Sequence, residues 1–209
     1  MRSKEKFLEG SRLCVIIDRD LLTLSRALKT TRSAVKAQAD ILQLRCKGID
    51  TVEALKTAAA MRRITLGRAA FIVNDRLEVA AASLADGLHI GKGDVSIKLA
   101  RRLLGKKKIL GVSASGLKDA VAVKRSGASY LGVGPVFKTP VKYGKKPTGV
   151  RVLSDIRKLN IPFFAIGGIN EGNIKKLTSK GFKRVAVIRA VSDASSPFLA
   201  AGRLKEALV

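Results

Sequence analysis

The sequence is poor in aromatic side chains, with no tryptophan and an aromatic content of 4%, so its core must be built mainly from aliphatic residues. It has two cysteines, Cys14 and Cys46, which make neither a disulfide framework nor a metal-binding spacing and are read as reduced thiols. Its one histidine, His89, lies beside apolar residues of a candidate strand and is read as a core or supporting group without a catalytic role. No apolar run approaches the roughly 20 residues needed to span a bilayer. The opening MRSKEKFLEG is charged, and the apolar run at 13–17 is too short for a signal-peptide core. A cytoplasmic location with no membrane partner is therefore expected.

Acidic residues are also scarce: 16 Asp and Glu stand against 41 Lys and Arg, a formal charge of +25. Such a field attracts anions and speeds their encounter. The cations are scattered as pairs and triplets (Arg62-Arg63, Arg101-Arg102, Lys106-Lys107-Lys108), with no basic tail and no interleaved aromatics. A solvated basic surface is the preferred reading, and nucleic acid is not expected as the main partner.

What is present is rhythm. Short runs rich in β-branched residues fall at 13–17, 41–45, 70–73, 87–90, 108–112, 130–133, 162–166 and 184–188, separated by amphipathic stretches such as TVEALKTAAAMRRI and SIKLARRLL. Strands without polar alternation suit a parallel sheet covered on both faces. Eight such units in 209 residues predict a single-domain (β/α)8 TIM barrel spanning 1–209, with an open doubly wound sheet as the alternative. Gly127 and Gly181 are expected to stop helices, and Thr51 and Asp94 to cap them.

Active sites in such barrels lie past the C-terminal ends of the strands. There the sequence places Gln43, Arg45 and Lys47; Asn74 and Asp75; Asp94 in GKGD; Ser113; Thr139 and Lys142; Gly167-Gly168; and Arg189. Cations, hydroxyls, glycine amides and two carboxylates suit phosphates with a divalent metal. Taken singly, Asp75 and Asp94 are equally well read as helix caps. Together on neighbouring loops they suit Mg2+, which takes few carboxylates and keeps oxygen ligands from water and phosphate. Arg45 and Lys47 alternate, so they point the same way. Glycines before a helix let backbone amides approach a phosphate.

The segments VIIDRDLL, QLRCK, FIVNDR, ADGLHIGKGD, LGVSAS, YLGVGPVFKTPVK, FAIGGIN and VAVIRAVS, in this order and at these spacings, resemble the thiamine phosphate synthase (thiamine-phosphate pyrophosphorylase) family over nearly the whole chain. The resemblance implies a barrel that joins a pyrimidinylmethyl diphosphate to a thiazole ethyl phosphate, or its carboxylated form, and releases pyrophosphate. It implies that Gln43 contacts the pyrimidine. It gives the diphosphate to Arg45, Lys47, Asn74, Ser113 and Lys142, of which Arg45, Lys47, Ser113 and Lys142 are catalytic. It assigns Mg2+ to Asp75 and Asp94. Thr139, Gly168, Ile188 and Arg189 take the thiazole phosphate, the last two mainly through backbone.

The sequence departs from the family pattern at three places. Cys46 replaces a usual acid, Val141 a usual hydroxyl residue and Arg189 a frequent serine. Two rival readings are a thiazole tautomerase-like relative and a basic polyanion-binding protein on a barrel scaffold. The tautomerase relatives tend to lose the metal carboxylates and carry a histidine after the fifth strand, whereas GVSASG has none. Small phosphorylated molecules are the expected partners, and the sequence is compatible with a homo-oligomer.

Overall fold

A computed structural model of the chain describes residues 4–140 and 146–209, with side chains from Phe7 onward. Eight parallel strands close into a barrel in chain order. They are β1 (Leu13–Asp18), β2 (Ile41–Arg45), β3 (Ala70–Asn74), β4 (Gly87–Ile90), β5 (Ile109–Ala114), β6 (Tyr130–Val133), β7 (Phe163–Ile166) and β8 (Val185–Val187). The ring is sealed where β8 pairs with β1, Cys14 lying opposite Ala186.

Ten helices surround or plug the barrel among the described residues: α1 (Lys4–Gly10), α2 (Leu24–Lys36), α3 (Thr51–Thr65), α4 (Leu77–Ala82), α5 (Ile97–Leu104), α6 (Leu117–Arg125), α7 (Arg151–Arg157), α8 (Lys175–Thr178), α9 (Arg189–Ser192) and α10 (Pro197–Glu206). α1 precedes the barrel and sends Leu8 and Phe7 into the apolar cluster inside it.

Every predicted strand is present, with ends shifted by a residue or two. Two predicted helix caps are not. Asp50, not Thr51, caps α3 by accepting from the Glu53 amide. Ser96, not Asp94, caps α5 by accepting from the Leu99 amide. Gly127 and Gly181 do follow helices in the left-handed conformation, at φ of 85° and 73°.

The period-two geometry of a strand sorts its residues between two cores. Leu13, Val15 and Ile17 of β1 face outward to the helices, as do Leu42 and Leu44 of β2 and Phe71 and Val73 of β3. The alternate residues Cys14, Ile16, Ile41, Ile72, Tyr130 and Phe164 fill the barrel. Along β1 to β5 the inward series changes from apolar or glycine at the base to polar at the C-terminal end, whereas β6 to β8 stay apolar or glycine on that side. Asp18, Arg45, Asn74, His89 and Ser113 all fall on that inward parity. Side-chain parity therefore aims these groups into one mouth, whatever the helices do outside.

Candidate active site

Two adjoining cavities open at the C-terminal ends of the strands. One, of about 290 Å3, is lined by Gln43, Arg45, Lys47, Asn74, Asp75, His89, Lys92, Asp94 and Ser113, among others. The second, of about 300 Å3, is lined by Lys138, Thr139, Gly167, Gly168, Asn170, Arg189 and neighbours. Ile166, Ala186 and Ile188 line both. Of the twelve residues to which the resemblance gives ligand or metal roles, eleven thus gather around two joined chambers. The twelfth, Lys142, lies outside the described residues, as does Val141.

The carboxylates sit where β3 and β4 end. Asp75 follows β3 at φ 65°, a left-handed conformation unusual for a residue with a side chain. Its amide donates to the His89 carbonyl at 2.7 Å, which fixes the turn against β4. It caps nothing: α4 starts after Arg76 and has no side-chain cap bond. Asp94 accepts from the Gly91 amide at 2.7 Å and closes its own GKGD turn, leaving the cap of α5 to Ser96. The helix-cap reading of both carboxylates is therefore set aside.

Lys47 Nζ lies 2.7 Å from Asp75 Oδ2. That oxygen is buried, and no neighbour meets it in hydrogen-bond geometry. Burial pushes the Asp75 carboxyl up to about 6, helped by its hydrogen bond with Asp94 and opposed by Lys47. For Asp94, burial disfavours the anion, but hydrogen bonds from Asp75 and the Gly91 amide outweigh it and hold the carboxyl below the ordinary range. The two carboxyls therefore act on one another, Asp75 standing above and Asp94 below the ordinary carboxylate range. Among the described residues, no three His, Cys, Asp or Glu side chains form a metal-sized cluster. A cation here would draw two ligands from the chain and the rest from water and substrate oxygens, as Mg2+ does. A buried carboxylate oxygen with no hydrogen-bond partner beyond its ion pair to Lys47 fits such an ion.

The floor of the first cavity is a chain of polar groups. Gln43 Nε2 donates to the Tyr130 hydroxyl at 3.4 Å. The hydroxyl lies 3.0 Å from His89 Nδ1, and His89 Nε2 lies 3.1 Å from Ser113 Oγ. Gln43, Tyr130 and His89 are all at least 93% buried. Gly111 and Gly132 make room for the chain. A Cβ at Gly111 would lie 2.2 Å from the Tyr130 ring, and one at Gly132 would lie 2.9 Å from the His89 ring. His89 is thus a supporting group that orients Ser113, in keeping with its sequence reading. The sequence marks Tyr130 only as a strand residue.

The second cavity is shaped by glycine. Gly167 and Gly168 have φ of 102° and 66°, and a Cβ on Gly168 would come within 2.3 Å of the Lys138 carbonyl. Arg189 starts α9, but its guanidinium turns back to Asp193 at 2.9 Å, with both side chains 49% exposed. The Arg189 side chain is therefore committed to a half-exposed pair within α9. Cys46 is buried in the outer core, away from the cavity, as its parity predicts.

The family model described as "Thiamine monophosphate synthase" matches residues 13–191. The chain belongs to that family. It is 41% identical over 187 residues to a thiamine-phosphate synthase of Syntrophomonas wolfei, covering 88% of this chain and 89% of the relative. It is 38% identical over 205 residues to a thiamine-phosphate synthase of Prochlorococcus marinus, covering 95% of this chain and 58% of that one. The chain thus spans about half the length of the cyanobacterial relatives it matches. Its fold is similar to a solved thiamine phosphate pyrophosphorylase from Pyrococcus furiosus, with a TM-score of 0.86, 32% identity, and coverage of 98% and 96% of the two chains. Among the described residues no helix is long and apolar enough to cross a membrane.

Proposed function

We propose that the chain is a thiamine phosphate synthase that joins an aminopyrimidinylmethyl diphosphate to a thiazole ethyl phosphate. The observation that carries this reading is the pair of joined chambers. One is lined with cations and carboxylates suited to a diphosphate. The other is lined with glycine amides suited to a monophosphate, in a chain whose family makes thiamine phosphate.

In the reaction the bond between the pyrimidine CH2 and the diphosphate oxygen breaks, and its electron pair leaves with pyrophosphate. The aminopyrimidine ring stabilises the cation left on carbon. The thiazole nitrogen then donates its lone pair to form the new C–N bond. No proton must cross from a side chain to the reacting carbon, which agrees with a site lacking a catalytic histidine or glutamate. The work left to the protein is charge neutralisation and placement. In this reading Arg45, Lys47 and Lys142 grip the departing diphosphate, with Asn74 and Ser113 as further hydrogen-bond partners. Gln43 meets the pyrimidine from the cavity floor. Thr139, Gly168 and the backbone of Ile188 and Arg189 hold the thiazole phosphate. Asp75 and Asp94 would hold Mg2+, which when bound supplies positive charge to the leaving group.

The test is to incubate the purified chain with both substrates and follow phosphorus by NMR. Equal amounts of thiamine phosphate and pyrophosphate are expected. Hydrolysis of the diphosphate without a C–N bond, or no turnover by folded protein, would remove the reading.

A further inference from the structure

Two carboxylates at the end of β1 were absent from the sequence-based site, yet they hold its arginine. Asp18 lies opposite Arg45 in the β1–β2 register. Both Asp18 oxygens accept from Arg45 Nη1, at 2.8 and 2.7 Å. Asp20 Oδ2 accepts from the same nitrogen at 3.0 Å. Asp20 Oδ1 accepts from the Gly48 amide at 2.8 Å, and the Arg19 amide donates to the Arg45 carbonyl at 2.8 Å. The segment 18–20 is therefore laced to the segment 45–48 on both sides of Lys47.

We propose that Asp18 and Asp20 are positioning residues for the diphosphate grip. They fix Arg45 through one nitrogen, Nη1, which leaves Nε and Nη2 for the ligand, and they hold the turn that carries Lys47. The proposal rests on the reading of the first cavity as a diphosphate site. Anions beside an anion site oppose binding unless their charge is taken up; Arg45 takes up that of the buried Asp18, while the charge of the more exposed Asp20 is eased by solvent and the Gly48 amide. The Asp18 side chain is 2% exposed; both its oxygens meet the guanidinium, and Oδ1 also accepts from the Asp20 amide at 3.1 Å. A pair serving stability alone would need only Asp18. Asp20 is 26% exposed and adds the bond to Gly48, which joins the arginine to the lysine turn. The arrangement converts a long, freely rotating side chain into a preset donor, so less freedom is lost when the ligand arrives.

The test uses inorganic pyrophosphate with Mg2+ as the probe, measured by titration calorimetry on the full chain. Asp18→Asn should weaken pyrophosphate binding at least ~10-fold, as expected for loss of a charge-assisted contact. Asp20→Asn, at the more exposed position, should weaken it by about 3-fold on the same scale. The deciding measurement is the cycle with Arg45→Ala. If the aspartates act through Arg45, adding either Asn change to Arg45→Ala should cost less than about 2-fold more. The KM for the thiazole phosphate should stay unchanged in both single variants. Wild-type-like binding by both Asn variants, or fully additive losses in the cycle, overturns the proposal; so does a wild type that fails to bind pyrophosphate. Should Asp18→Asn fail to fold, Asp20→Asn and its cycle decide alone. A wild type that binds pyrophosphate and obeys the cycle but makes no thiamine phosphate would refute the functional reading and leave the positioning role standing.

Discussion

Replacing Asp75 by asparagine should stabilise the metal-free protein while removing its activity, and the gain should depend on pH. In the folded chain the Asp75 carboxyl is raised from 3.8 to about 6, chiefly by burial. The folded state therefore binds this proton more tightly than the unfolded state does. Its stability falls as pH rises from about 4 to 6, and the full penalty is present above that window. Two units correspond to roughly 3 kcal/mol. The side chain is 12% exposed and its partner Lys47 is 52% exposed, so solvent screening reduces this to about 1–2 kcal/mol. For a chain of this size that is ~3–6 °C in Tm. Asparagine tolerates the φ of 65° at this position as aspartate does, so backbone conformation adds little to the difference. The assay is thermal unfolding in EDTA at several pH values from 4 to 7.5. The variant should melt higher than wild type at pH 7.5, and the gap should narrow as pH falls through 6. A gap that stays constant, or a variant that melts lower at pH 7.5, would refute the claim that a buried charge strains this site.

Gly168→Ala should raise the KM for the thiazole phosphate at least ~10-fold, since a Cβ meets the Lys138 carbonyl at 2.3 Å and the φ of 66° disfavours alanine; steady-state kinetics with each substrate varied would check it. Gly111→Ala should destabilise by roughly 3 kcal/mol, because its Cβ would enter the Tyr130 ring, and urea unfolding would measure the loss. Arg189→Ala should change the thiazole KM by less than about 2-fold, because its guanidinium pairs with Asp193 in solvent rather than facing the cavity. His89→Ala should lower kcat through the loss of Ser113 orientation, by ~3–10-fold as for one hydrogen bond of about 1 kcal/mol, and Ser113→Ala should abolish that sensitivity.

How legible was this architecture? The eight strands were legible because each is a short β-branched run bounded by glycine or polar residues. The mouth was legible because inward parity carries Arg45, Asn74 and Ser113 to the same rim. Helix caps were less so. Asp50 and Thr51 are adjacent cap-competent residues, and so are Asp94 and Ser96 two apart; backbone geometry chooses between them. Asp18 and Asp20 were missed because nothing local to VIIDRDLL indicates which strand lies beside it. The parity signal was nonetheless available: Asp18 shares the inward side with Cys14 and Ile16, and a neighbouring strand ends in an arginine. The Gln43–Tyr130–His89–Ser113 chain joins four different strands, so it depends on barrel closure and no single segment announces it.

The central claim is that carboxylates at the ends of β3 and β4 hold the ion that holds the leaving group. The most direct measurement is the rate of thiamine phosphate formation as Mg2+ is titrated into metal-stripped protein, for wild type, Asp75→Asn and Asp94→Asn. The account predicts a wild-type rate that is negligible in EDTA and saturates with Mg2+, and variants that need far more Mg2+ or stay inactive while fully folded. Variants with the wild-type Mg2+ dependence, or a wild type indifferent to chelation, would contradict it.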